Sequence, residues 1–298
     1  MANLKDIKRQ IASVKGTQKT TRAMKLVSSA KLKRAEEVAK RSKVYAQKLT
    51  ELLTEIAQKM QESSSDNGID NIFMRENKNP KKVDIVFVTS DKGLCGGFNH
   101  QTIKRASSLI EEFKSSDIEV RLSGVGKKGV SFFKYNKVEM INQIDDLSSK
   151  PDYERSTELI DSLVADYVAG ETDKIILIHN GYVSMIAQRV SEQQLLPVDV
   201  SKLKLTNSVH MDSEIEVEPD DDDTLLDALV KRYVEYSMYY ALLDSLAAEH
   251  SARMQAMDAA TNNAGDMVKK LSVKYNKARQ EAITTELIEI ISGMESLK

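Results

Sequence analysis

The feature that most constrains this chain is a heptad seam near its C-terminal end. Counting in alternating steps of four and three from Leu229 gives Leu229, Tyr233, Tyr236, Tyr240, Leu243, Ala247, His250, Met254, Met257, Thr261, Ala264, Val268, Leu271, Tyr275, Ala278 and Ala282. Fourteen of these sixteen are apolar residues, Ala or Tyr, and His250 and Thr261 are the exceptions. A repeat sustained over more than seven heptads is a coiled-coil seam. It predicts a helix from Thr224 to about Met294, roughly 105 Å long at about 1.5 Å per residue. Pro219 is the last proline, and the acids Asp220–Asp223 sit where negative charge favours a helix start.

The other end of the chain has a matching character. Residues 1–60 contain no Pro and a single glycine, Gly16. Apolar residues recur at Ile7, Ile11, Val14, Met24, Val27, Leu49, Leu52, Leu53, Ile56 and Met60, a spacing that predicts one long helix, bent at most near Gly16–Thr17. Thr17, Thr21, Ser28 and Lys31 stand where a coiled coil would bury apolar side chains, which suggests a polar-surfaced segment clasped weakly by other chains. Ten Lys/Arg against the single acid Asp6 give residues 1–34 a charge of +9, whereas residues 212–223 hold eight acids and no base. Such blocks are interaction arms or solvated faces.

Between the ends the period changes. Gln61–Asn79 reads as a loop. Val83–Thr89, Ile118–Leu122, Val138–Ile141, Lys174–Ile178 and Met185–Val198 read as strands, and Gln101–Lys114, Val130–Tyr135 and Tyr153–Val168 as helices. The alternation predicts a Rossmann-like α/β domain of about five largely parallel strands, covered on both faces. The expected organisation is an N-terminal coiled-coil helix (1–60), a loop (61–80), an α/β domain (81–200), an acidic connection (201–223) and a C-terminal coiled-coil helix (224–298). A helix too long to lie on such a sheet should protrude and wind with the N-terminal helix as an antiparallel rod, the α/β domain being inserted between them in sequence.

Catalytic chemistry has no visible home. One cysteine, Cys95, excludes an internal disulfide framework and a cysteine-based zinc site. His100, His179, His210 and His250 show no metal-ligand spacing. Gly124–Gly129 (GVGKKG) matches a dinucleotide fingerprint but follows the second strand and has Val130 where a phosphate loop needs Lys. A tight strand-to-helix turn explains it better. Three glycines within Gly93–Gly97 suggest backbone packed very close to a neighbour. The basic first helix lacks aromatic stacking residues through position 44, which argues against a nucleic-acid binder. No apolar run approaches the ~18 residues of a membrane span.

Three blocks then carry a resemblance: Ile7–Ala35, IKRQIASVKGTQKTTRAMKLVSSAKLKRA; Thr89–Asn99, TSDKGLCGGFN; and Glu249–Gly293, from EHSARMQAMDAATNNAG to YNKARQEAITTELIEIISG. In this order, around an α/β insertion of this size, they closely resemble the γ subunits of bacterial F-type ATP synthases. The resemblance implies a non-catalytic rotary shaft without cofactor or metal. Its paired helices would enter the ring of α and β subunits, and its α/β domain would stand with the ε subunit on the membrane c-ring, without direct membrane insertion. It implies contacts with β-subunit loops at Met24 and Lys25, with the β catch loop at Arg279, Gln280 and Thr284, and a coupling role for Arg253. Glu218, in IEVEPD, is implied at the c-ring or ε, although Ile215 and Val217 stand where many family members carry aromatic residues. The implied location is peripheral, on the cytoplasmic face of a bacterial membrane. The lack of a leader and of a cysteine-pair insert predicts a bacterial rather than organellar source.

Overall fold

A computed structural model describes residues 4–63, 71–75, 77, 79–199 and 222–295. Helix α1 spans Leu4–Ser63 and the last helix, α5, spans Asp222–Glu295. Between them lie β1 (Lys82–Val88), α2 (Phe98–Ser115), β2 (Glu119–Val125), α3 (Lys127–Tyr135), β3 (Asn142–Ile144), α4 (Tyr153–Val168), β4 (Lys174–Ser184) and β5 (Ala187–Leu196). The chain divides into two compact units, residues 30–252 and residues 1–29 with 253–298.

The larger unit is built on a five-stranded sheet in the order β3-β2-β1-β4-β5. The first four strands are parallel, and β5 returns antiparallel along β4 as a hairpin edge. The sheet is thus mostly parallel, as expected. Its β3 forms at Asn142–Ile144, just after the expected Val138–Ile141. Val138 and Met140 instead pack against the core from the approach to that strand.

Period-two alternation sends the two faces of β1 to different partners. Val83, Ile85 and Phe87 meet Ile103, Ala106 and Leu109 of α2 and Val130 and Phe133 of α3. Val86 and Val88 meet Leu159, Ile160 and Leu163 of α4, Leu53 and Ile56 of α1, and Leu226, Val230, Val234 and Leu242 of α5. Asp84 also faces α4. Its fully buried carboxylate accepts two hydrogen bonds from Arg121, Nε to Oδ1 at 2.7 Å and Nη2 to Oδ2 at 2.6 Å, and Arg121 also reaches Asp166 at 2.8 Å.

Helix α1 runs without interruption through Gly16. A Cβ there would meet nothing within 4 Å, so this glycine costs helix propensity without marking a bend. The buried stripe keeps heptad steps throughout: Ile7, Ile11, Val14, Gln18, Thr21, Lys25, Ser28, Leu32, Ala35, Ala39, Ser42, Ala46, Leu49, Leu53 and Ile56 are all buried or half-buried. This corrects the expected stripe in four places. Thr17, Lys31, Val27 and Leu52 are exposed, whereas Gln18 and Leu32 take seam positions. On α5 all sixteen seam positions are buried or half-buried.

In the larger unit Ala46 and Thr50 line a cavity of about 260 Å³ with Tyr233, Tyr236 and Tyr240. The smaller unit is an antiparallel helix pair whose seam turns polar. The Thr21 and Thr261 hydroxyls lie 2.7 Å apart, both buried, and Lys25 Nζ donates to Asp258 Oδ1 at 2.7 Å. Gln18 Nε2 reaches the carbonyl of Thr261 at 3.5 Å. Ascending numbers on α1 meet descending numbers on α5, which is the antiparallel sense.

Candidate functional site

The two glycine-rich turns come together at the carboxyl ends of β1 and β2, where an open α/β sheet would offer a ligand site. Here the chain itself fills that place. The amides at the start of α3, which a phosphate would need, are engaged internally. Lys127 N donates to Asp91 Oδ1 at 3.1 Å, Lys128 N to the Ser90 carbonyl at 3.1 Å, and Gly129 N to Thr89 Oγ1 at 2.9 Å. Asp91 also accepts from Asp146 N and Ser148 Oγ. Burial works against its charge, yet the hydrogen bonds from Lys127, Ser148 and Asp146 hold the carboxyl below its ordinary value.

The fingerprint glycines serve packing. Gly126 has φ +96°, and a Cβ there would lie 2.0 Å from the Thr89 carbonyl oxygen. At Gly129 it would lie 2.4 Å from the Phe87 ring. The strand-to-helix turn is therefore pressed onto β1, as expected of GVGKKG as a tight strand-to-helix turn. The close-approach reading of Gly93–Gly97 does not hold at Gly93 and Gly97, where the nearest atoms to an added Cβ are side chains at 3.6 and 3.8 Å. The Thr89–Asn99 turn is knit instead by Asn99 Oδ1, which accepts from Ser90 N at 2.9 Å. It closes on α5 through Cys95 and Phe98, packed against Ala248 and Ala252.

The implied partner-contact residues fall into two groups, both in the smaller unit. Met24 and Lys25 are half-buried and Arg253 is buried. The Lys25 ammonium is already committed to Asp258, a pairing the sequence did not suggest. Arg279, Gln280 and Thr284 are exposed on the last turns of α5. Gln280 and Thr284 are four residues apart on one face, and the Thr284 hydroxyl donates to the Gln280 carbonyl at 2.9 Å. Glu218, Ile215 and Val217 lie outside the described residues.

The same stretch holds a feature that sequence reasoning missed. Ile283, Leu287, Ile288, Ile290, Ile291 and Met294 are all about half exposed or more, 48% to 67%. Exposed apolar clusters of this kind mark interaction surfaces. The signal was present as LIEIISGM, which follows the seam's last counted position, Ala282.

A family model described as ATP synthase matches residues 3–297. A protein of Sulfurovum sp. (strain NBC37-1) called ATP synthase gamma chain is 70% identical over 298 residues, covering all of both chains. The chain belongs to the ATP synthase gamma chain family. A second member, from Wolinella succinogenes, is 54% identical over 300 residues and covers all of this chain and 99% of its own. Among solved structures, a chain of the Euglena gracilis mitochondrial ATP synthase, described as OSCP/F1/c-ring, matches with a TM-score of 0.67 at 15% identity, covering 99% of this chain and 94% of its own. A chain of the Tetrahymena thermophila mitochondrial enzyme, described as central stalk/c-ring, matches with a TM-score of 0.61 at 23% identity, covering 81% and 99%. At these identities the structural likeness speaks for the fold shared with the family.

Proposed function

We propose that this chain is the central rotating stalk of an F-type ATP synthase, coupling ion-driven rotation of the c-ring to conformational change at the catalytic sites of the α/β ring. The full-length 70% identity to an ATP synthase gamma chain carries this reading. The solved relatives add to it, since their descriptions name the central stalk, the rotor and the c-ring. Its partners are the α and β subunits, ε and the c-ring.

The chain acts without catalytic groups of its own. The amides that could hold a phosphate are spent on Asp91, Ser90 and Thr89. No described helix is long and apolar enough to cross a membrane. Peripheral attachment at the cytoplasmic face belongs to the same reading. The division into two coiled-coil helices (1–60 and 224–298), a loop (61–80), an α/β domain (81–200) and an acidic connection (201–223) belongs to the same reading.

Torque transfer needs contacts that differ among rotational states, because a partner shifts an equilibrium only by its differential affinity. Arg279 and Gln280 suit that role, being exposed and free of ion pairs among the described residues. Thr284 extends their surface by one turn. Met24 and Lys25 would meet the β loops, Lys25 sharing its ammonium with Asp258, and Arg253 would take part in coupling. Glu218 is assigned to the c-ring or ε.

The test is rotation of a bead attached to this chain after assembly with matching α and β subunits during ATP hydrolysis. Cys95 is buried and cannot serve as the attachment point, so a cysteine is placed at Tyr135, which is 87% exposed. Stepwise unidirectional rotation is the expected result. A folded chain that fails to assemble with α and β would refute the assignment.

A further inference from the structure

Four of the ten tyrosines gather in one place on the larger unit. Tyr45 of α1, Tyr153 of α4, and Tyr236 and Tyr239 of α5 line an open concavity of about 500 Å³ together with Arg41 and Arg232. Their rings form a connected floor. Tyr45 and Tyr236 are 4.4 Å apart between centroids, Tyr236 and Tyr239 are 5.9 Å apart, and Tyr239 and Tyr153 meet edge-on at 5.5 Å. Arg232 lies over the Tyr153 ring at 5.1 Å, a cation–π distance.

One side of this groove is satisfied from within. Arg232 Nη1 donates to the Tyr153 hydroxyl at 2.7 Å, that hydroxyl donates to the buried Glu235 at 2.7 Å, and the Tyr236 hydroxyl donates to the Ser42 carbonyl at 3.3 Å. These bonds fix the rings before anything binds, so little side-chain entropy is lost on docking. The other side is only partly spent. Arg41 is exposed and forms no ion pair among the described residues, and the Tyr239 hydroxyl has no hydrogen-bond partner among them, whereas Tyr45, 43% exposed, is hydrogen-bonded to Arg232. If the cluster served only to hold three helices together, its polar ends would be expected to be spent as they are around Tyr153.

Composition and charge say what fits. Tyr and Arg are the residues most enriched at the anchoring centres of protein interfaces. Residues 31–48 of α1 carry seven Lys/Arg against Glu36 and Glu37. Lys40 is paired with Glu36 and Lys48 with Glu51, whereas Arg41 keeps its planar donor fork open. That fork matches a carboxylate in two-point geometry. We propose that this groove is a docking site for an acidic polypeptide segment of a partner protein, with an Asp or Glu carboxylate on Arg41 and an apolar neighbour on the Tyr45–Tyr239 floor.

The test uses the assembled ATP synthase containing this chain, with a photoreactive benzophenone amino acid at Val38. Position 38 is 44% exposed, lies one turn before Arg41 on α1, and leaves the groove residues unchanged. After irradiation the cross-linked peptide is sequenced. The expected product is one segment bearing Asp or Glu. Its yield should fall at least tenfold in Arg41→Glu, and recover when the carboxylate nearest the cross-link is changed to Lys. Arg41→Gln gives the same comparison should the reversed charge hinder assembly. A cross-link to lipid or to a segment without acids, no cross-link at all, or a yield indifferent to both Arg41 variants would overturn the proposal. Rotation by a complex that lacked the cross-link would leave the stalk reading intact, so the two readings fail separately.

Discussion

Replacing Arg121 with Met should be among the most damaging single changes in the sheet. Asp84 sits on the central strand with its side chain 1% exposed, and Arg121, 20% exposed, supplies both of its hydrogen bonds. Without the guanidinium a carboxylate remains in the layer between β1 and α4 with no compensating charge. Breaking a buried pair from one side costs about 3–5 kcal/mol. Partial access of water to Arg121 and to Asp166, 38% exposed, argues for the lower end, about 3 kcal/mol. That is a large part of the roughly 5–15 kcal/mol that holds a domain folded. Removing both partners, Asp84→Leu with Arg121→Met, should cost much less, because the uncompensated charge is gone. Urea unfolding followed by circular dichroism measures the loss, and hydrogen exchange at β1 and β2 amides localises it. A single variant costing under about 1 kcal/mol, or a double variant costing as much as the single, would refute the argument.

Other outcomes follow from the same geometry. Arg279→Ala with Gln280→Ala should leave unfolding of the isolated chain within about 0.5 kcal/mol of the original, since both are exposed, while lowering proton-driven ATP synthesis in the reconstituted complex; unchanged synthesis would remove them from the coupling contact. Burial pushes Tyr167 and Tyr240 up to about 12. Raised values contribute stability that is complete below the unfolded value of about 10 and is lost as pH rises through about 12, so absorbance at alkaline pH should show late-ionising tyrosines, Tyr167 and Tyr240 among them, titrating with loss of structure. Asp91, whose value is lowered, contributes stability that is present above its unfolded value of about 3.9 and disappears as pH falls below it. Asp91→Ala should therefore destabilise the chain by about 1–3 kcal/mol at neutral pH and converge with the original chain in acid, as read from melting temperatures across pH. Thr21→Val alone should cost more than Thr21→Val with Thr261→Val, because the double change leaves no half-satisfied buried hydroxyl; a double-mutant cycle with no coupling would contradict the buried Thr21–Thr261 pair.

The long helices were the most legible part of the sequence because heptad spacing is a property of the chain alone. The α5 seam holds at every counted position, and its helix ends within two residues of the expected bounds. The α1 seam was harder to read. Gln18, Thr21, Lys25 and Ser28 are polar, and the neighbouring Val27 and Leu26 are apolar yet exposed, so hydrophobicity pointed to the wrong face over three turns. The partners Asp258 and Thr261 that make those polar positions tolerable lie more than 230 residues away. Strands inside the sheet were visible as β-branched runs, whereas β3 has three residues and little apolar content. The tyrosine groove could not be read beforehand, since it joins residues 41–45, 153 and 232–239 only after folding.

The antiparallel pairing of the two ends also governs how the chain can form. Thr21 and Thr261 are separated by 240 residues. Closing a flexible loop of that length costs about 5 kcal/mol in chain entropy. During synthesis α1 therefore emerges with its seam unmatched and stays so until nearly the whole chain has been made. The sheet resolves this order. Residues 82–196 hold the contacts among the strands, and the finished sheet face offers one bed to Leu53 and Ile56 of α1 and to Leu226 and Val230 of α5. Docking there brings the two helices side by side, and the remaining seam can then close by short steps. Folding speed should thus be set in the α/β unit, and a defect in the sheet should leave α1 exposed to chaperones and to aggregation.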